Sequence, residues 1–143
     1  MKKLHIANTN FELTYEKGIT SDLQNSFFMH PSFLQLQFLP LLYANPEDSV
    51  LVTTIPSQDY LKQIALLRGD LPKMILMSEV IQEDYTIEPW AHNHLIQDWA
   101  KKKNIDYRPP SKVVMQELAS KKFTFDYAPK LKNATLIRSP LDI

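Results

Sequence analysis

The sequence predicts an α/β fold in three layers, with a mostly parallel sheet of about four to five strands and helices on both faces. Three observations carry that expectation. Short, near-continuous apolar runs bounded by turn residues recur along the chain, as fully buried parallel strands require. Between them lie segments with helix start and stop signals. The 143 residues, 44% hydrophobic and 22% charged, supply one core of ordinary size, so 1–143 reads as a single domain.

Residues 3–7 (KLHIA) read as a first core strand, because the β-forming residues stop abruptly at the polar loop that begins with Asn8. A polar segment follows as far as Asn25. Pro31 then opens a helix on which Leu34, Phe38, Leu41 and Leu42 recur at helical spacing, and Pro40 should kink or divide it. Val50 to Thr54 form a buried strand between turn residues. Ser57 caps the next helix, which carries Tyr60, Leu61, Ile64 and Ala65 and stops at Gly69. KMILMS, after Pro72, reads as another central strand, and an acidic, irregular stretch leads from Glu79 to Glu88. The following helix is expected to hold Pro89 in its first turn and Ala91, Leu95 and Trp99 on its apolar face. Lys101, Lys102 and Lys103 suit its negative end, with Asn104 as a left-handed stop. Residues 105–107 (IDY) read as a short strand, Ser111 caps a helix bearing Val114 and Leu118, and a last strand is expected near Leu136 to Arg138.

Sheets of this kind bind ligands beyond the carboxyl ends of their strands. The expected functional edge therefore comprises the loop Asn8 to Glu12, the turn near Pro56 and the segment before Pro89. Asn8 and Asn10 are substrate-side candidates because they follow the first strand, although hydrogen bonding within the turn explains each of them as well.

Composition narrows the chemistry. With no cysteine, the chain has no disulfide, thiolate metal site or thiol nucleophile, and a cytoplasmic location is the default. Two glycines, Gly18 and Gly69, cannot form a dinucleotide fingerprint or a Walker-type phosphate loop. The net charge of zero argues against a general nucleic-acid or membrane binder. It conceals an asymmetry of −6 in residues 1–100 and +6 in residues 101–143, which reads first as solvated surface charge and second as attraction for an anion or partner. The uncharged stretch from Leu23 to Pro46 contains too many polar residues and prolines to span a membrane, and the N-terminus lacks the apolar segment of an export signal. His92 and His94, two apart on the expected helix, point about 200° apart and cannot grip one ion. Glu83, Asp84 and Glu88 read as a solvated acidic loop rather than paired catalytic carboxylates. Trp90 and Trp99 read as core anchors.

IANTNFE after the first strand, SVLVTTIP, EPWAHNHLIQDWAKKKN, PPSKVVMQELASKKFTFDYAPKL and ATLIRSPLDI resemble, in that order and across nearly the whole chain, the N-terminal pre-ATP-grasp domain of ATP-grasp proteins. The most specific parts are Pro89-Trp90 opening a helix and Ser120-Lys121 followed by Phe123. Where related proteins often carry Trp-Gly, this chain has Trp90-Ala91. The resemblance implies a Rossmann-like domain packed against a separate, downstream ATP-grasp fold. There ATP and magnesium bind between two lobes, and a carboxylate is activated as an acyl phosphate for attack by an amine. It implies that Lys121 reaches toward nucleotide phosphate and that 120–143 leads toward the ATP-grasp domain, and it adds Pro89 and Trp90 to Asn8 and Asn10 on the substrate side. No catalytic residue, metal ligand or cofactor is expected within this chain. The expected partner is the C-terminal ATP-grasp domain of the same protein. The alternative is a free-standing interaction module, a homodimer paired through apolar surface that a catalytic domain would otherwise cover.

Overall fold

The computed structural model describes residues 2–11, 13 and 22–119, whose contacts fall into two compact units, Met1–Pro109 and Pro110–Ile143. In the first unit the strands are β1 (Lys2–Ile6), β2 (Ser49–Val52), β3 (Lys73–Leu76) and β4 (Tyr85–Pro89). Its helices are α1 (Leu23–Phe27), α2 (Pro31–Leu36), a 3-10 helix (Leu39–Leu42), α3 (Gln58–Arg68) and α4 (His94–Lys102). The second unit is described through α5 (Lys112–Ala119), whose first turn is capped at Ser111 by the Val114 amide, 3.4 Å from the hydroxyl.

The strands form one all-parallel sheet in the order β3-β2-β1-β4. Successive side chains point to opposite faces, and the two resulting sets are buried under different helices. Leu4, Ile6, Leu51, Ile75, Tyr85 and Ile87 pack with Leu23 and Phe27 of α1 and with Leu95, Ile96 and Trp99 of α4. On the other face Val50 and Val52 pack with Ile64 of α3 and Leu41 of the 3-10 helix, and Met74 and Leu76 lie against them. The sequence expectation of a mostly parallel sheet with helices on both faces is therefore met by four strands.

Local signals account for most of the elements. Pro31 stands at the start of α2, and Pro40 is the second residue of the separate 3-10 helix, so the apolar stripe from Leu34 to Leu42 is divided where a proline ring meets the preceding turn. Ser57 accepts from the Tyr60 amide to open α3, and Gly69 ends it at φ 90° and ψ −130°, a conformation only glycine adopts without strain. Arg68, in the last turn of α3, donates to the carbonyl of Leu41 at 2.6 Å and to that of Ala44, satisfying acceptors left open by the 3-10 helix. Asn104 stops α4 at φ 56°, as the sequence indicates. Glu83 joins the amino ends of two strands by pairing with Lys2 at 2.6 Å and Lys73 at 3.6 Å.

Four expectations are corrected. Pro89 is the last residue of β4, not the first turn of a helix, and α4 begins five residues later behind the N-cap Asn93. The segment leading to Pro89, expected to be irregular, is a strand: Tyr85 and Ile87 face the core while Thr86 and Glu88 face solvent. Residues 105–107 form no strand, because the turn at Asn104 returns the Ile105 amide to the Ala100 carbonyl at 2.9 Å. α1 begins inside the segment expected to be polar as far as Asn25, where Asp22 caps it through the Asn25 amide at 2.8 Å. The expected strand near Leu136 to Arg138 lies outside the described residues. No helix among the described residues is long and apolar enough to cross a membrane.

Candidate functional site

The chain builds β1, β2 and β3 outward in one direction and then returns to place β4 on the other side of β1. That reversal makes a switch point between the carboxyl ends of β1 and β4, the usual location of a binding crevice in an open parallel sheet. The loops leaving these two strands are the candidate site.

Asn8 binds them together. Its Nδ2 donates to the Ala91 carbonyl at 2.7 Å, and its Oδ1 accepts from the Ala91 amide at 3.1 Å. The side chain is wholly buried, so this pair of bonds works in a low-dielectric setting where leaving either group unmet would be costly. The Trp90 amide donates to the Ile6 carbonyl at 2.8 Å, carrying the β1–β4 ladder one residue beyond Pro89. Asn10 is also buried; its Nδ2 donates to the Ser26 carbonyl at 2.9 Å, tying the same loop to α1, while its Oδ1 has no partner among the described residues. Both amide atoms of Asn8 and the Nδ2 of Asn10 are thus engaged within the edge.

Trp90 is different. Expected in the core, it is 53% exposed, because the residues from Trp90 to Asn93 form a turn at the sheet edge instead of the first turn of a helix. Trp99 does sit in the core, as expected. His92 precedes α4 as well, and its Nδ1 lies 2.5 Å from the Tyr107 hydroxyl with the two rings stacked. Asn93 closes the turn by accepting from the Ile96 amide at 3.0 Å. The edge therefore offers one exposed indole on a turn held at both ends by buried amide side chains.

Asn8, Pro89 and Trp90 are brought together, and Asn10 is set one turn behind them; Lys121 lies outside the described residues. The loop after β2 completes this edge. The buried Gln37 holds it by accepting from the Thr53 amide at 2.7 Å and the Thr53 hydroxyl at 3.0 Å, and it donates to Leu34 at 2.6 Å. Among the described residues no group of three or more His, Asp or Glu side chains gathers to hold a metal ion, and neither glycine of the chain lies in the described edge loops.

Sequence reasoning missed a buried acid–base pair toward the amino side of the sheet. His5 and Asp48 are each 6% exposed, with His5 Nε2 3.2 Å from Asp48 Oδ2. A carboxylate only accepts, so Nε2 carries the hydrogen; the imidazole packs at 85° to the Tyr43 ring, and its Nδ1 has no partner among the described residues. Asp48 also accepts from the Lys3 amide at 2.8 Å, which pins β1 to the turn before β2. Burial pushes the Asp48 carboxyl up, but the Lys3 amide, the hydrogen bond and charge of His5, and the Asn45 backbone together hold it below its ordinary value. Its stabilising effect is therefore complete above the unfolded carboxyl value of about 4 and is lost as the pH falls through the lower native value. Asp48→Asn should cost about 1–3 kcal/mol at pH 7, and urea titrations of the two proteins should converge as the pH drops below about 4. A gap that stays constant with pH would show that the charge of Asp48 contributes nothing.

The fold and the edge together define a small, Rossmann-like α/β domain with a four-stranded parallel sheet. Comparison of the chain with protein-family models, curated proteins and solved structures found no match.

Proposed function

We propose that this chain is a non-catalytic N-terminal domain of an ATP-dependent carboxylate–amine ligase of the ATP-grasp type. In this reading it supplies one wall of the substrate cleft and docks on the catalytic domain through its carboxyl edge. The observation that carries the reading is Trp90, an indole 53% exposed at the switch point and mounted on a turn that Asn8 clamps. Large aromatics on rigid supports are the side chains from which partner and ligand surfaces draw most of their energy. The resemblance of Pro89-Trp90 and Ser120-Lys121 to the pre-ATP-grasp pattern names the partner: ATP and magnesium would be bound by the ATP-grasp domain, with Lys121 reaching toward nucleotide phosphate.

A second reading, a self-associating interaction module, is favoured by Leu66 and Leu67, which are 87% and 83% exposed on α3. Sedimentation and turnover separate the two. The chain alone with MgATP should show no hydrolysis and should sediment as a monomer. It should bind an ATP-grasp catalytic domain supplied in trans, with Trp90→Ala weakening that complex by about 30-fold or more. A dimer that strengthens with concentration, without a complex, would establish the interaction module, and ATP turnover by the chain alone would overturn the non-catalytic assignment.

A further inference from the structure

A concavity lies on the sheet face covered by α1 and α4. It has a volume of about 570 Å³, within the ~300–1,000 Å³ range of small-molecule pockets. It shares no residue with the edge loops that carry the docking reading, so the two stand or fall separately. Its apolar lining comes from Leu23, Met77, Leu95 and Trp99, all buried members of the core cluster. Trp99 is 7% exposed, and its Nε1–H has no acceptor among the described residues.

The rim is charged in both senses. His94, Asp98 and Lys102 follow one another at intervals of four along α4, hence on one side of the helix. Asp98 four residues before Lys102 is the favourable order for an ion pair, yet among the described residues neither makes one. The other rim charges are already engaged: Asp22 caps α1, and the Lys103 ammonium donates to the Glu79 carbonyl at 2.7 Å. An open carboxylate and an open ammonium one helical turn apart, above an apolar floor, select against single-sign ligands. A phosphate group would meet Asp98, and a simple amine would meet Lys102.

We infer that this groove binds a small zwitterion with an apolar or aromatic body. Asp98 takes the ligand's ammonium, Lys102 takes its carboxylate, and the body lies on Leu23, Leu95 and Trp99.

The test uses the full chain with Trp90→Phe, which leaves Trp99 as its one tryptophan. L-Phenylalanine is the probe, with phenethylamine and 3-phenylpropionate as analogues lacking one charge each. A saturable change in Trp99 emission is expected with phenylalanine, and each analogue should bind at least about tenfold more weakly. Asp98→Asn and Lys102→Gln, both at exposed positions, should each weaken phenylalanine by about tenfold, with urea midpoints confirming that the fold is kept. Lys102→Gln should also weaken 3-phenylpropionate, and Asp98→Asn should not. Equal binding of phenylalanine and either analogue overturns the zwitterion assignment. Absence of a saturable response up to about 10 mM overturns the site itself.

Discussion

Asn8→Asp is expected to destabilise the protein by about 3–5 kcal/mol at neutral pH, the cost of an uncompensated buried charge. The substitution keeps the shape of the side chain and the acceptor for the Ala91 amide, but it replaces the Nδ2 donor by an oxygen facing the Ala91 carbonyl, now 2.7 Å from Nδ2. Only the protonated acid restores a donor there. Its native carboxyl is therefore raised, and the penalty, full above that raised value, shrinks as the pH falls toward the unfolded value of about 4. Urea denaturation of both proteins between pH 7 and pH 4 reads this directly, because the variant should recover toward the parent on acidification. Asn8→Ala should cost about 2–4 kcal/mol with no such recovery, since two backbone groups lose their partner at every pH. An aspartate variant as stable as the parent at pH 7 would show that the two loops are held by something other than this amide.

The second large effect is at Phe27. Its ring is wholly buried between the sheet and α4, and it belongs to a helix of five residues that is too short to persist without packing. Phe27→Ala should cost about 3–5 kcal/mol, lowering the urea midpoint with an unchanged slope, whereas Phe27→Leu should cost below about 1.5 kcal/mol. Against a total stability of about 5–15 kcal/mol the alanine variant stands near the limit of folding. Equal losses from alanine and leucine would mean that ring volume is not what holds α1 in place.

What could be read from the sequence was local. Ser57 and Gly69 bound α3, and Pro31 and Pro40 divide the apolar stripe, because each acts through bonds within a few residues of itself. The strands β2 and β3 are legible as apolar runs because helices or the 3-10 segment cover both of their faces. β4 was hidden because only one of its faces is buried, so Thr86 and Glu88 interrupt the apolar signal and Pro89 mimics a helix start. The roles of Asn8 and of the His5–Asp48 pair were beyond reach for another reason: their partners lie 83 and 43 residues away, and neither spacing has a sequence signature. Trp90 and Trp99 look alike in the sequence. Only the five-residue delay of α4 puts one in solvent and the other in the core.

Pro89 has a further consequence. It lies beside Ile6, whose carbonyl accepts from Trp90, so in a parallel ladder the backbone of residue 89 itself points away from β1. The missing amide hydrogen therefore takes nothing from the sheet. Among the described residues β4 is an edge of the sheet, so what the proline removes is a donor from the outward margin, the side on which a stray extended peptide would dock. The ring thus lowers the donor count of that margin at no cost to pairing with β1.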